Sequence, residues 1–448
     1  MPGENATMKK VLTLGAGRVS KPLVDYFIDT CGYQVTLADM DLSRAETIVA
    51  GRSSGKAVRW KDDEEALLDR LVGECDIVVA IVPTILHPTV ARSCLRQGKN
   101  MVTAGFESPA IKALDEEAKE KGVLILNENG EDPGLDHLGT QMLLDEIRAD
   151  GGRVVSLRSF GSGIPSFKDN NNPMGYKFSW DPRQLLRSAM EAAVYYERGK
   201  PVSVPKGQIF SKHWLLDIEG LGTFEAYPNR DCTRYIEPFG LDEDASFYRG
   251  LLRYSGYCNT LRSLIALGLL DAKDEIDFRG QSLRSFTAGL IGCSAPENLE
   301  VEMAKHLAVD DNADIINRLR WLGLFEDRAI PFEKGSRADV LLNRMMEKMS
   351  YAPHESDMII VHIEVEAEFA DRREKRFATL TMEGIPFGES AMSRAVGLPA
   401  AMAAQLVLEG GVKATGVQMP PTLPGFYKPI LERLAPYGFE FKRRTQTL

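Results

Sequence analysis

A short apolar run, Val11-Leu12-Thr13-Leu14, ends in Gly15-Ala16-Gly17 and opens onto a helical repeat of apolar residues, Val19, Leu23, Val24, Phe27 and Ile28. Strand, glycine turn and helix in that order form the first unit of a dinucleotide-binding sheet. Glycine lets the backbone approach a pyrophosphate, and the first N–H groups of the helix attract it. The string is G-x-G-x-x-G with Ser20 in the third glycine's place. Alone it is a weak signal, since a tight strand–helix turn in a sheet that binds nothing reads the same way. Its context strengthens it: Asp39 ends a second strand, Gln34-Val35-Thr36-Leu37-Ala38, 22 residues after Gly17. This places Gly15, Ala16, Gly17, Arg18 and Val19 at the cofactor's phosphates and Asp39 with Met40 at its ribose.

A carboxylate at Asp39 accepts hydrogen bonds from the ribose hydroxyls of NAD and repels the 2′-phosphate of NADP. NAD is therefore the expected cofactor and NADP the alternative; Arg44 nearby either offsets the repulsion or is a solvated helix residue. The alternation continues. A third apolar run over 76–82 ends at Pro83, helical spacing follows over 90–95, and Met101-Val102-Thr103 is a strand. Helical 110–121 stops at Gly122 before Val123-Leu124-Ile125-Leu126. Apolar strands alternating with helices mean a parallel sheet covered on both faces. The strand ends Ile81-Val82-Pro83 and Thr103-Ala104-Gly105-Phe106 then line the cofactor crevice.

Beyond residue 130 the pattern changes. Residues 153–163 alternate as a strand, and 357–368 with 374–383 read as an antiparallel hairpin around Asp371. Residues 263–349 are mostly helical, including 298–307, 315–322 and 337–349; 391–408 is another apolar helix, and 430–442 a final helix plus strand. The expected architecture is α/β: a Rossmann-like dinucleotide-binding domain over 1–130, with 388–448 packing back on it in part. An α/β substrate-binding and dimerisation domain follows over 131–245 and 350–387, with an all-helical insertion at 246–349.

Charge and cysteine usage narrow the class. The 448 residues carry 54 Lys plus Arg against 64 Asp plus Glu, a net charge of −10, which argues against nucleic-acid or anionic-membrane partners. No apolar stretch approaches the roughly 20 residues of a membrane span, and residues 1–10 lack an apolar signal region, so a cytoplasmic protein is expected. Six scattered cysteines, with no C-x-x-C and no H-E-x-x-H, point to reduced thiols and no metal site.

Three strings carry the remaining chemistry. Residues 127–137, Asn-Glu-Asn-Gly-Glu-Asp-Pro-Gly-Leu-Asp-His, hold four carboxylates and a histidine. They read equally as a surface turn capped by Asp136 or as a domain junction reaching the nicotinamide end. Asn172 to Trp180 mixes polar, aromatic and basic residues. Arg230 and Arg253 sit beside aromatics in Tyr227-Pro228-Asn229-Arg230-Asp231 and Leu252-Arg253-Tyr254. The guanidinium fork suits carboxylate clamps, although either arginine taken singly is more ordinarily a surface ion pair.

These strings, together with Trp321-Leu322-Gly323-Leu324-Phe325 and Ser390-Ala391-Met392 through Gly397-Leu398-Pro399, occur in an order that resembles the glutamate-forming saccharopine dehydrogenase family, also called saccharopine reductases. The resemblance implies a cofactor domain, a substrate and dimerisation domain, and a helical domain over the cleft, in a homodimer. It implies NAD(P)-dependent oxidation of saccharopine to L-glutamate and 2-aminoadipate 6-semialdehyde, or the reverse condensation, in lysine metabolism. A hydride leaves the carbon attached to the secondary amine, and the imine is hydrolysed.

By the same resemblance Arg230 and Arg253 hold substrate carboxylates, with Gly105, Phe106 and Asp132 also at the substrate and Trp180 where substrate meets nicotinamide. Asp132, His137 and Lys177 are the candidates for proton transfer. The chain departs from the family pattern at Phe106, where tyrosine is usual, and at Gly161-Ser162-Gly163, where Cys-Gly-Gly is usual. It also departs at Glu131, where an apolar residue is usual. Asp39-Met40-Asp41 replaces the arginine-bearing loop of the fungal biosynthetic members. The alternatives are a related C–N oxidoreductase of the carboxynorspermidine synthase type and an inactive nucleotide-binding relative.

Overall fold

Five of the apolar runs read from the sequence become neighbours in one parallel sheet. The computed structural model describes residues 8–448; residues 1–7, most of the stretch examined for a signal region, lie outside them. The first strands are β1 (Lys10–Leu14), β2 (Gln34–Asp39), β3 (Gly55–Arg59), β4 (Ile77–Ala80), β5 (Asn100–Thr103) and β6 (Leu124–Leu126). A late strand, Gly416–Gln418, completes a seven-stranded sheet in the order 416–418, β6, β5, β4, β1, β2, β3, every pair parallel. The order reverses at β1, and in open α/β sheets ligands bind outside the strand C-termini at that point. Leu12, Leu14, Val78, Ala80 and Ile125 are almost wholly buried in the core cluster of this sheet.

The sequence reading did not include β3 or the helix Glu65–Gly73. For the strand the reason is physical. β3 is an edge strand with Lys56 and Arg59 exposed, so the continuous apolar signature of an interior parallel strand is missing.

Contact density divides the chain into two units, residues 1–161, 235–242 and 358–448, and residues 162–234 and 243–357. The first unit also holds the expected hairpin, Asp357–Glu368 with Arg373–Glu383, in unbroken register from Met358 against Glu383 to Glu368 against Arg373. The C-terminal strand Lys442–Thr447 pairs along the second arm. Helix Ala391–Leu408 packs on helix Lys21–Asp25, which follows the glycine turn. It is long and apolar enough to cross a membrane, but 78% of it is buried in the protein, as befits a core helix.

The second unit carries helices on antiparallel strands: Trp214–Ile218 pairs with Gly222–Pro228, which pairs with Ser246–Arg253, while Ala193–Glu197 pairs with Lys200–Val204 and at one position with Ser246–Arg253. The helices follow the expected pattern closely: Leu299–Leu307, Asp314–Trp321 and Arg337–Lys348. Arg337–Lys348 begins in a capping box, with Ser336 accepting from the Asp339 N–H and the Asp339 carboxylate accepting from that of Ser336.

Gly397 explains how Ala391–Leu408 comes so near the glycine turn. A Cβ there would lie 2.8 Å from the Val19 carbonyl oxygen and 3.2 Å from the Leu23 nitrogen. Alanine in a helix interior normally stabilises by about 1 kcal/mol over glycine. Here the contact is with backbone that cannot swing aside, so Gly397→Ala is expected to lower the urea unfolding midpoint, at a cost of about 1–3 kcal/mol. A stabilised variant would show that the two helices are not held this close.

Candidate functional site

The turn after β1 is shaped by what it cannot accommodate. Gly15 has φ +103°, and a Cβ on it would fall 2.3 Å from the Ile81 carbonyl oxygen. Any other residue would push apart the ends of β1 and β4. Gly17, in contrast, has no atom within 4 Å of its missing Cβ, and both Gly17 and Arg18 are exposed. The backbone there is open to a phosphate group. Asp39 fixes the turn from beside it: the Ala16 N–H donates to Oδ2 (2.6 Å) and the Asp41 N–H to Oδ1 (2.8 Å). Each carboxylate oxygen keeps a further lone pair for a ribose hydroxyl. Met40 next to it is 72% exposed, an apolar surface at the rim of the same turn. The nearest arginine on the following helix, Arg44, pairs with Asp41 (3.2 Å).

The ends of β4 and β5 are tied together by a residue that the sequence reading passed over. His87 Nε2 donates to the Val82 carbonyl oxygen (3.0 Å) and lies 3.4 Å from Thr103 Oγ1, which accepts from the Gly105 N–H (3.1 Å). A Cβ on Gly105 would meet His87 Cε1 at 2.5 Å, so Gly105 must be glycine for the imidazole to fit. The available signal was position: a histidine opening the helix right after a strand-end loop. His87 is 1% exposed, and burial pushes its imidazole down to about 4.

The segment 127–137 is buried, which excludes the surface-turn reading. The Glu128 N–H donates to the Gly105 carbonyl (3.1 Å) and the Asn129 N–H to that of Thr103 (3.1 Å), laying the segment along the end of β5. Gly134, at φ +148°, packs so tightly on Gly130 that a Cβ would sit 2.0 Å from its carbonyl oxygen. Asp136 accepts from the Gly134 N–H (2.7 Å) and opens the buried helix Leu135–Ala149. Asp132 stays partly exposed, and its carboxylate occupies the space that a side chain at 161 would take: a Cβ on Gly161 would lie 2.4 Å from Asp132 Oδ2. The unusual glycine and the position of the aspartate are one feature.

Of the proton-transfer candidates, His137 is fully buried, with Nε2 2.8 Å from Glu128 Oε2 and its ring against Tyr235 and Phe239. Lys177, in the second unit, is 3% exposed and ion-paired to Glu355 at 2.5 Å. Both side chains are engaged in structural contacts.

The second unit gathers aromatics around Arg253. This guanidinium is buried, its central carbon 5.1 Å from the Tyr176 ring, 5.4 Å from Tyr257 and 5.9 Å from Tyr227. Nη1 donates to the Leu252 carbonyl (2.7 Å), and Arg253 forms no ion pair with a carboxylate among the described residues. Burial drives the three phenols upward, so they are neutral and give no counter-charge. Glu225, opposite Arg253 in the ladder, instead accepts from the Gly256 (2.6 Å) and Cys258 (2.7 Å) N–H groups at the next helix start. Trp180 Nε1 donates to the Tyr176 hydroxyl (3.0 Å), linking it to the same cluster. Arg230, at φ +57°, follows the strand Gly222–Pro228 with its carbonyl accepting from the Val194 N–H.

The predicted residues thus fall into two groups. Gly15 to Val19, Asp39, Met40, Ile81 to Pro83, Thr103 to Phe106, Asp132 and His137 belong to the first unit; Lys177, Trp180, Arg230 and Arg253 belong to the second.

Known proteins match nearly the whole chain. Residues 11–126 match the family model for the saccharopine dehydrogenase NADP binding domain, and residues 130–439 that for the saccharopine dehydrogenase C-terminal domain. A saccharopine dehydrogenase [NADP(+), L-glutamate-forming] of Schizosaccharomyces pombe is 32% identical over 447 residues, covering 97% of this chain and 98% of that one. The mitochondrial alpha-aminoadipic semialdehyde synthase of Bos taurus is 33% identical over 443 residues, 97% of this chain but 48% of that longer protein. Apo saccharopine dehydrogenase (L-Glu forming) from Saccharomyces cerevisiae superposes with a TM-score of 0.88 at 31% identity, over 98% of this chain and 100% of that one.

His87 generates a test of the strand-end geometry. Its folded value of about 4 lies below the ordinary 6.5, so the unfolded chain binds more protons between those limits. Its contribution is fully present above pH 6.5 and is lost as pH falls toward 4, on the order of 3 kcal/mol in all. The urea midpoint of the parent should therefore fall more steeply over that window than that of His87→Gln; parallel profiles would place the imidazole in water.

Proposed function

The chain belongs to the saccharopine dehydrogenase family, and from that premise we propose that it oxidises saccharopine to L-glutamate and 2-aminoadipate 6-semialdehyde with a nicotinamide dinucleotide, or runs the reverse condensation. The observation that carries the substrate is Arg253. A buried guanidinium among neutral phenols has lost water and gained no carboxylate, a situation that costs several kcal/mol. A substrate with three carboxylates supplies the missing anion, held bidentately by the planar fork. Arg230, in its left-handed loop position, takes a second carboxylate.

The dinucleotide fits the first unit: the open backbone at Gly17 takes the pyrophosphate, and Asp39 accepts from the ribose hydroxyls. When bound, the nicotinamide supplies the hydride acceptor for the carbon bearing the secondary amine. Thr103, Ala104 and the Ile81–Pro83 loop position it. Asp132 takes the proton-transfer role. It is the partly exposed one of the three candidates, next to Gly161, whereas His137 and Lys177 are buried. Positioning of the reacting carbon contributes much of the rate.

NAD is the coenzyme that Asp39 fits, since a carboxylate at the end of the second strand repels a 2′-phosphate, and Arg44 on the next helix is paired to Asp41. The names of the fungal relatives carry NADP(+), as does the family model that matches residues 11–126. The test is absorbance in the NADH band with purified protein, saccharopine and either dinucleotide. Reduction of NAD in clear preference to NADP is expected. Activity confined to NADP would overturn the role of Asp39, and absence of turnover with both would overturn the substrate. Asp39→Ala should weaken NAD about tenfold, the loss of one charge-assisted bond, and narrow its advantage over NADP. An unchanged ratio would remove Asp39 from discrimination.

Arg253→Met separates binding from stability. It is expected to lower kcat/KM for saccharopine by roughly 100-fold or more, the scale of a buried charge pair, without changing dinucleotide affinity. It should leave the urea midpoint unchanged or raise it, because an unpaired buried charge has been removed. Loss of stability with parental kinetics would make Arg253 a structural residue.

A further inference from the structure

Glu128 is a buried carboxylate in an unusual backbone conformation, φ +65°, and is fully enclosed. Its groups converge on one short turn. The backbone N–H donates to the Gly105 carbonyl (3.1 Å), and side-chain Oε1 accepts from the Glu107 N–H (3.0 Å). The turn Gly105-Phe106-Glu107 is thus held at both ends by one residue. The other carboxylate oxygen faces His137 Nε2 at 2.8 Å, and that ring is wedged against Tyr235 (4.9 Å) and Phe239 (5.7 Å). A left-handed conformation is costly for a residue with a Cβ and persists where surroundings over-determine it. Enclosing a carboxylate costs more unless its oxygens are bonded. Here both costs serve the geometry of three residues at the end of β5.

We infer that Glu128 is a positioning residue for the reaction: it fixes the Gly105-Phe106-Glu107 turn, and His137 anchors it. The inference rests on the reading that Gly105 and Phe106 face the substrate. His137 then acts through Glu128 and takes no proton from saccharopine. The left-handed backbone aims the Glu128 N–H at Gly105 while its side chain reaches past Phe106 to Glu107. The rigid support behind the clamp is the start of helix Leu135–Ala149, which carries His137.

The experiment compares Glu128→Ala, Glu128→Gln and His137→Gln by steady-state kinetics, dinucleotide binding and amide hydrogen exchange. Glu128→Ala should lower kcat/KM for saccharopine by roughly 10- to 100-fold through loss of positioning, with dinucleotide affinity unchanged and faster exchange at the Glu107 amide. Glu128→Gln keeps an acceptor for that amide and should recover most of the activity and the protection. His137→Gln should move in the same direction as Glu128→Ala by a smaller factor. Combined with Glu128→Ala it should cost little more, because the two act as one unit. If Glu128→Ala does not fold, His137→Gln carries both readouts.

Parental kinetics and a protected Glu107 amide in Glu128→Ala would overturn the inference. So would a lowered melting temperature accompanied by parental kinetics. Exchange at Glu107 reads the clamp whatever the substrate, so a parent that ignores saccharopine would defeat the proposed function while this readout still judged the clamp.

Discussion

The approach of Gly15 to the Ile81 carbonyl sets the geometry of the first unit. It lets β1 and β4 end side by side at the point where strand order reverses, the place where open α/β sheets bind their ligands. The rest of the cradle is arranged to preserve that closeness. Asp39 pins Ala16 from one side, His87 joins the next two strand ends from the other, and Gly397 brings a buried helix up to the carbonyl of Val19. Each of these uses a small residue or a polar side chain where a larger apolar one would not fit the backbone path.

The second unit solves a different problem. Its aromatic cluster excludes water from Arg253 without neutralising it, so the charge acts through a low local dielectric. Glu225 is a register neighbour whose oxygens are taken up by the start of helix Tyr257–Ala266, which prevents an internal ion pair from quenching the arginine. Lys177 shows the opposite outcome. It meets Glu355, and that pair ties the Tyr176–Trp180 stretch to the end of the helical region. Two buried cations of similar sequence appearance therefore have different fates, decided by which carboxylate the fold brings near.

This contrast marks how far the sequence could be read. Interior parallel strands were legible because they are buried on both faces and show as unbroken apolar runs; β3 was not, because an edge strand lacks that run. The hairpin and the long helices were legible from their periodicities, with Arg373 the one residue gained at the second arm. Helix Leu135–Ala149 was hidden behind the turn chemistry of Asp132-Pro133-Gly134, although Leu135, Leu138 and Leu143 are spaced to bury one face. Site residues set by local order, Gly15 and Asp39 above all, could be named as candidates, though not the Ile81 carbonyl against the one or the Ala16 N–H on the other. The burial of Arg253 and the capture of His137 by Glu128 could not, since they depend on aromatics and strand ends that only the tertiary fold assembles.

The relation between Asp132 and Gly161 has a historical consequence. Asp132 occupies the volume that Gly161 leaves empty, so position 161 cannot gain a side chain while the aspartate stays where it is. A descendant that gained a side chain at 161 would first need its aspartate turned elsewhere, and a reversion at 161 alone would meet a filled space. In a relative that carries a side chain at 161, the aspartate should be turned away from that space.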